Sequence, residues 1–171
     1  MKVLWFAPYN LALLQPALAL ARPQAGFHPC SWIVNLAAAL AARGDVELTI
    51  ATESPAVAGD QIVRQNQITF HVLQSGIPLV HRNFPPWLPV ETALGFLPNV
   101  RRLRAVARQV CPDIVHAHGT EVAFARAAQA TGLPAVISIQ GIISEIYKTD
   151  PTFSFWLKGC WERKTVRRGR G

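Results

Sequence analysis

Cysteine is scarce in this chain: Cys30, Cys111 and Cys160 are odd in number, far apart and form no CxxC pair. That excludes a disulfide framework and a zinc ribbon, and it points to a reducing compartment. Long apolar runs are missing too. None approaches the roughly 20 residues that a membrane-spanning helix needs, so no transmembrane anchor is expected. No serine stands in a nucleophile elbow, and GxGxxG, the P-loop pattern and HExxH are absent. Their absence removes the dinucleotide fingerprint, the phosphate-cradling P-loop and the zincin helix from consideration. Charged residues are only 16% of the chain and hydrophobic ones 50%, a globular and not a disordered composition. A single domain of 171 residues buries roughly 70% of its extended surface, so no covalent or metal staple is required.

What is present is an uneven charge. Of the net +7, residues 1–100 contribute nothing, with five basic against five acidic side chains, whereas residues 101–171 hold twelve basic against five acidic. The last fourteen residues alone carry six basic and one acidic. A solvated helix end accounts for such a run; an anionic partner, membrane headgroups before nucleic acid, is the functional alternative. No aromatic and basic interleaving over a nucleic-acid motif accompanies it, so nucleic acid is not an expected partner.

Taken in order, Lys2 to Pro8 is an apolar run bounded by proline, the pattern of a strand buried on both faces. The rival reading is a secretory leader ending near Ala21; Pro8, Asn10, Gln15 and Pro16 break its apolar core, and the strand is preferred. A long loop, Tyr9 to Cys30, precedes a helix over Ser31 to Arg43. There Ile33, Leu36, Ala37, Leu40 and Ala41 form the apolar stripe, with Ser31 as cap and Gly44 at the stop. Val46 to Thr52 reads as the next strand and Ile68 to Leu73 as a third. Five prolines between Gln74 and Pro98 suggest a lid or excursion, in which Pro86 to Pro89 is a PxxP. Asn99 to Val110 is helical, with Arg101, Arg104 and Arg108 along one side. The segments Pro112 to Gly119, PDIVHAHG, and Pro134 to Gly141, PAVISIQG, are two further short strands, each started by proline and ended by glycine. Between them Thr120 is placed to cap a helix that stops at Gly132, with Glu121 in its first turn. A last helix from Thr152 carries the stripe Phe153, Trp156, Leu157, Cys160 and Trp161, expected to pack on the sheet or on a neighbouring domain.

Strands alternating with helices define a parallel α/β sheet flanked by helices, and such sheets place ligands beyond the carboxyl ends of their strands. The candidate site residues are those at these ends: Tyr9 and Asn10 after the first strand, His118, Gly119, Thr120 and Glu121 after PDIVHAH, and Gln140 with Gly141 after PAVISI. His116 and His118, two apart, share one face of their strand. A zinc site needs a third ligand, and neither His28, His71, His81 nor any cysteine is spaced to supply one, so no metal site is predicted. His116 is expected to be a satisfied interior histidine and His118 to face solvent and a ligand. The glycines allow close approach, and a helix start after Gly119 suits an anionic or hydroxyl-rich group.

The stretches KVLWFAPY, HPCSWIVNLAAALAARGDVELTIAT, PDIVHAHGTEVAFARAAQATGLPAVISIQG and WERKTVRR follow one another over nearly the whole chain. In that order they resemble the N-terminal domain of a family 4 glycosyltransferase of the GT-B fold. The resemblance implies a Rossmann-like domain, 1–171, that binds a sugar or lipid-linked acceptor of a cell-envelope glycan, for retaining transfer from a nucleotide sugar without a metal. The strand-end position of His118 suggests a catalytic or orienting role for it. The family's usual glycine-rich turn is replaced here by Phe27, His28, Pro29 and Cys30, and its frequent cleft histidine by Gln140, which hydrogen-bonds but does not titrate near neutrality. No glutamate has another eight positions on, so the nucleotide-sugar site, which the family builds in a second domain, is expected only with such a domain. The chain reads as a truncated enzyme. The alternative is a non-catalytic acceptor-binding or membrane-recruiting subunit that pairs with a separate donor-domain chain. The expected location is cytoplasmic, with peripheral contact to anionic membrane through the basic C-terminal segment. A secreted α/β binding protein would require cleavage of residues 1–21.

Overall fold

The computed structural model describes residues 1–15, 17–20, 31–75 and 89–168. The expected PxxP, the Phe27 to Cys30 turn and much of the Tyr9 to Cys30 loop lie outside the described residues. The strands are β1 (Lys2–Phe6), β2 (Glu47–Ser54), β3 (Gln61–Gln65), β4 (Ile68–Gln74), β5 (Ile114–His118) and β6 (Ala135–Ser138). They form one sheet in the order β3-β4-β2-β1-β5-β6. Every pairing is parallel except β3 with β4. The helices are α1 (Ser31–Ala41), α2 (Val90–Ala93), α3 (Leu97–Val110), α4 (Ala123–Thr131), α5 (Ile143–Thr149) and α6 (Phe153–Arg168). This is a Rossmann-like α/β domain.

The central strand explains the layering. Successive side chains of β1 alternate between faces, and both faces are dry: Trp5, Phe6 and Leu4 are each 0% exposed. Val3 and Trp5 join Ile33, Ala37, Leu48, Ile50 and Phe70 in one core under α1. Leu4 and Phe6 join Val115, Ala117, Leu103 and Phe124 in a second core under α3 and α4. The run KVLWF is apolar throughout because helices cover both sides.

The predicted strands and helices are present within one to three residues at their ends. The β3–β4 hairpin is an addition. Its two-residue turn, Asn66 and Gln67, has φ of 50° and 64°, the left-handed pair that a tight hairpin needs. Asparagine tolerates that region, but glutamine gives no turn signal, so nothing in the sequence announced the strand before it. Gly132, with φ 74°, ends α4 as expected.

Two expectations are corrected. Thr120 does not cap α4: the helix starts at Ala123 with Val122 at the cap position, and neither Thr120 nor Glu121 lies in its first turn. For the aromatic stripe of α6 only the sheet alternative is corrected, and packing on a neighbouring domain is untouched by this: the stripe does not face the sheet. Phe153 and Trp156 are 50% and 47% exposed, stacked on each other with centroids 5.7 Å apart, while Leu157, Cys160 and Trp161 are half-buried. The inward side of α6 is instead Gly159, Glu162 and Thr165. Trp161 anchors the helix: its indole Nε1 donates to Thr92 O at 2.7 Å, and the Arg126 guanidinium lies 3.9 Å over its ring. No helix among the described residues is long and apolar enough to cross a membrane.

Because the second core depends on Leu103, 0% exposed, the substitution Leu103→Ala is expected to lower stability by about 2–5 kcal/mol in urea denaturation. A loss below 1 kcal/mol would show that α3 is not part of the cooperative core.

Candidate functional site

The order of strands reverses at β1: the chain builds outward through β2 and β4, then returns to place β5 on the other side of β1. The crevice beyond the carboxyl ends of β1 and β5 is therefore the switch point at which open α/β sheets bind ligands. Tyr9 and Asn10 leave one side of it, and His118 to Glu121 the other.

Parity on β5 decides what each histidine meets. Val115 and Ala117 point into the α3–α4 core, so His116 and His118 point to the α1 face. His116 stacks on Trp5, centroids 4.8 Å apart and planes within 6°, and its Nε2 shares a 2.7 Å hydrogen bond with Ser138 Oγ of β6. It is the satisfied interior histidine that the sequence suggested. His118 departs from expectation. It is 3% exposed and lies beneath Trp32, ring centroids 4.7 Å apart at 47°. Its Nδ1 has no hydrogen-bond partner among the described residues. Burial lowers the pKa of both imidazoles below the ordinary 6.5; His118 adds to the depression at His116, and Glu121 partly opposes it at His118. Both rings are neutral at pH 7.

The turn after β5 is tight for a specific reason. Gly119 has φ 78°, and its N–H donates to Ser138 O at 2.8 Å, holding the ends of β5 and β6 together. A Cβ at this position would fall 2.3 Å from a carboxylate oxygen of Glu121, which folds back over the glycine. The Thr120 hydroxyl, 3% exposed, donates to Glu162 Oε2 at 2.7 Å. The same carboxylate accepts from Ile143 N at 3.1 Å and Ser144 N at 3.4 Å. Glu162 of α6 thus joins the β5 turn to the first turn of α5.

The remaining predicted residues divide. Gln140 is exposed and Gly141 half-buried in the link from β6 to α5. Tyr9 turns towards β4, its ring tilted 53° to Phe70 at 4.8 Å, and burial raises its phenol pKa. Asn10 caps a short 3-10 turn, Leu11–Leu14, by accepting from Ala12 N at 3.2 Å. The structure therefore brings together His118, Gly119, Thr120 and Glu121, sets Gln140 and Gly141 after the adjoining strand, and engages Tyr9 and Asn10 elsewhere. Trp32, Ser138 and Glu162 are the members that sequence reasoning missed. Glu162 had a signal, as the single acid in a strongly basic segment; Trp32 had a weaker one, as a large aromatic beside the apolar stripe of α1. Among the described residues no three His, Cys, Asp or Glu side chains come together as a metal-binding group. A cavity of about 490 Å³ lies elsewhere, lined by residues of α3, α4, β6 and α6 that include Arg104, Arg126 and Ile137.

A parallel α/β domain with a polar cluster at the switch point defines a class of ligand-binding and transferase domains. Within that class the match is specific: the family described as a glycosyl transferase 4-like domain matches residues 32–171, and the chain belongs to that family. No curated protein matches the chain.

Two predictions follow from the buried groups. His71, His116 and His118 all have pKa values depressed by burial below 6.5. The unfolded chain then takes up protons near 6.5 while the folded chain does so only at lower pH, so stability is full above 6.5 and falls as pH drops through and below it. The melting temperature is expected to be lower at pH 5.5 than at pH 7.5, and an unchanged value would contradict the neutral, buried imidazoles. Glu162→Ala strands the buried Thr120 hydroxyl and the Ile143 amide, at a cost of about 1–3 kcal/mol in chemical denaturation. Hydrogen exchange should show the loss concentrated at 119–121 and 142–145; uniform loss would deny Glu162 its linking role.

Proposed function

We propose that this chain is the acceptor-side half of a retaining GT-B glycosyltransferase, acting at the cytoplasmic face of a membrane on a glycan or lipid-linked acceptor. The observation that carries the reading is the switch-point cluster in a glycosyl transferase 4-like domain: His118 neutral and with an unsatisfied Nδ1, Glu121 beside it, and Gln140 exposed on the adjoining strand end. In the transfer, the bond from the sugar's anomeric carbon to the leaving phosphate oxygen breaks and a bond to an acceptor hydroxyl oxygen forms. The hydroxyl proton departs with the leaving phosphate group. This half binds and orients the acceptor. A neutral imidazole nitrogen can take a hydrogen bond from the attacking hydroxyl, and the Gln140 carboxamide can donate to one hydroxyl and accept from another. The nucleotide sugar belongs to a second α/β domain, in the same polypeptide or as a partner chain.

A membrane-recruiting role is the second reading. It is favoured by the exposed Ile139 and Ile142, which line one groove with Arg163 and Arg167 of α6, and by the exposed Phe153–Trp156 pair on the same helix. These are apolar and cationic groups of the kind that meet a membrane surface.

The test is reconstitution. The chain is mixed with a purified family 4 donor domain and labelled nucleotide sugars, with a lipid-linked glycan extract as acceptor. Transfer is expected only in the mixture, and His118→Ala should lower turnover by about 10²-fold. Unchanged turnover in His118→Ala would remove the role given to that histidine. Cosedimentation with anionic but not neutral vesicles supports recruitment, and equal partitioning to both opposes it.

A further inference from the structure

Trp32 stands out because nothing in the fold requires it where it is. The inward stripe of α1 is Ile33, Ala37 and Ala41, and Trp32, about 100° round the helix from Ile33, projects along the rim. Its side chain is large, yet the residue keeps 37% of its surface exposed. Its covered part sits on His118. His118 is 3% exposed, and its Nδ1 bonds to nothing among the described residues. A buried polar atom without a partner costs about 1–3 kcal/mol, and each one in a native structure calls for an explanation. Trp5 Nε1 is another, enclosed in the core, whereas His118 Nδ1 lies at a strand end under a part-exposed ring. The neighbouring polar groups do not relieve it. Glu121 folds over Gly119, the Thr120 hydroxyl is committed to Glu162, and His116 is committed to Ser138.

These features describe the chemistry of the missing partner. A half-exposed indole offers an apolar, nearly rigid ring face with few torsions to freeze. An unsatisfied imidazole nitrogen and a nearby carboxylate offer hydrogen bonds at its edge. The ligand class that has an apolar C–H face with hydroxyls round the rim is a sugar ring. An inorganic anion would meet Glu121 unfavourably and gain nothing from the indole, and a purely apolar ligand would leave Nδ1 unpaired.

Resting on the acceptor reading above, we infer that Trp32 is the shutter and stacking platform of the acceptor site. In the structure as it stands its indole closes over His118. On binding, the ring swings aside to lie against the sugar, and a sugar hydroxyl takes the place of the indole at Nδ1. This accounts for the burial of a histidine that its strand-end position would otherwise expose. Trp32 is a specificity and gating residue in this scheme, and His118 makes the polar contact.

The inference is tested on the full chain with methyl α-glycosides of glucose, mannose and galactose as probes. In the wild-type protein at least one glycoside should shift both the Trp32 indole N–H and the His118 imidazole nitrogen resonances. Trp32→Ala should weaken that binding about tenfold or more, and Trp32→Phe should recover part of it. Independently of any sugar, Trp32→Ala should speed modification of His118 by diethyl pyrocarbonate several-fold, with Trp32→Phe close to wild type. If Trp32→Ala binds the glycoside as tightly as the wild type, or if His118 reacts no faster, the Trp32 inference is overturned while the acceptor reading stands. If no glycoside shifts either resonance while the histidine is uncovered as expected, the acceptor reading itself falls.

Discussion

Strand β1 has no wet face, and most of the structure answers to that constraint. Its neighbours on either side, β2 and β5, run parallel to it with Trp5 opposite Ile50 and His116. Parallel neighbours cannot be joined by tight turns, so the chain crosses a face of the sheet between them, through α1 from β1 to β2 and through α4 from β5 to β6. The helices α1 on one side and α3 and α4 on the other cover the faces that these crossovers leave. Reversal of strand order at β1 follows, and with it the crevice at the ends of β1 and β5. The site is thus a product of burying one five-residue strand.

Within that crevice the polar groups are held under different degrees of satisfaction. The Glu162 carboxylate is 5% exposed yet accepts hydrogen bonds from a hydroxyl and two amides, which is how a buried charged group becomes tolerable. His116 is paired to Ser138 and stacked on Trp5. His118 is left incomplete under an aromatic cover. The scaffold thus satisfies Thr120, Glu162 and the Nε2 of His116, while His118 Nδ1 at the strand end and Trp5 Nε1 in the core have no hydrogen-bond partner among the described residues. Of these two, the histidine nitrogen is the one at the switch point.

The last helix shows the same logic from outside. Its inward side carries Glu162, whose carboxylate serves the turn after β5 and the start of α5, and Thr165, whose backbone carbonyl accepts from the Gln129 side chain. Its Phe153–Trp156 pair is consequently turned outwards. Helical periodicity alone favoured the opposite orientation, since large apolar residues at that spacing usually mark the buried face. Hydrogen-bond demand, and the docking of Trp161 against Thr92 and Arg126, outweighed it.

The element order, the parallel α/β class and the location of the site at the ends of PDIVHAH and PAVISI were legible in the sequence, because they rest on short-range signals. Apolar runs, β-branched strands, stripes at helical spacing, and prolines and glycines at boundaries all act within a few residues. The β3 strand was not legible, since its turn uses Gln67 at positive φ without a glycine to mark it. Nor was the fate of Thr120, a good cap by local rules, which gives its hydroxyl instead to Glu162, 42 positions away. The same holds for His118. Its strand end was written in the sequence, but its cover, Trp32, comes from a helix 86 positions earlier whose proximity exists only once β1 lies between β2 and β5. Local chemistry determined which elements form. Which polar group each side chain meets was decided by the order of strands in the sheet, because burial lets a distant residue compete with a near one for the same hydrogen bond.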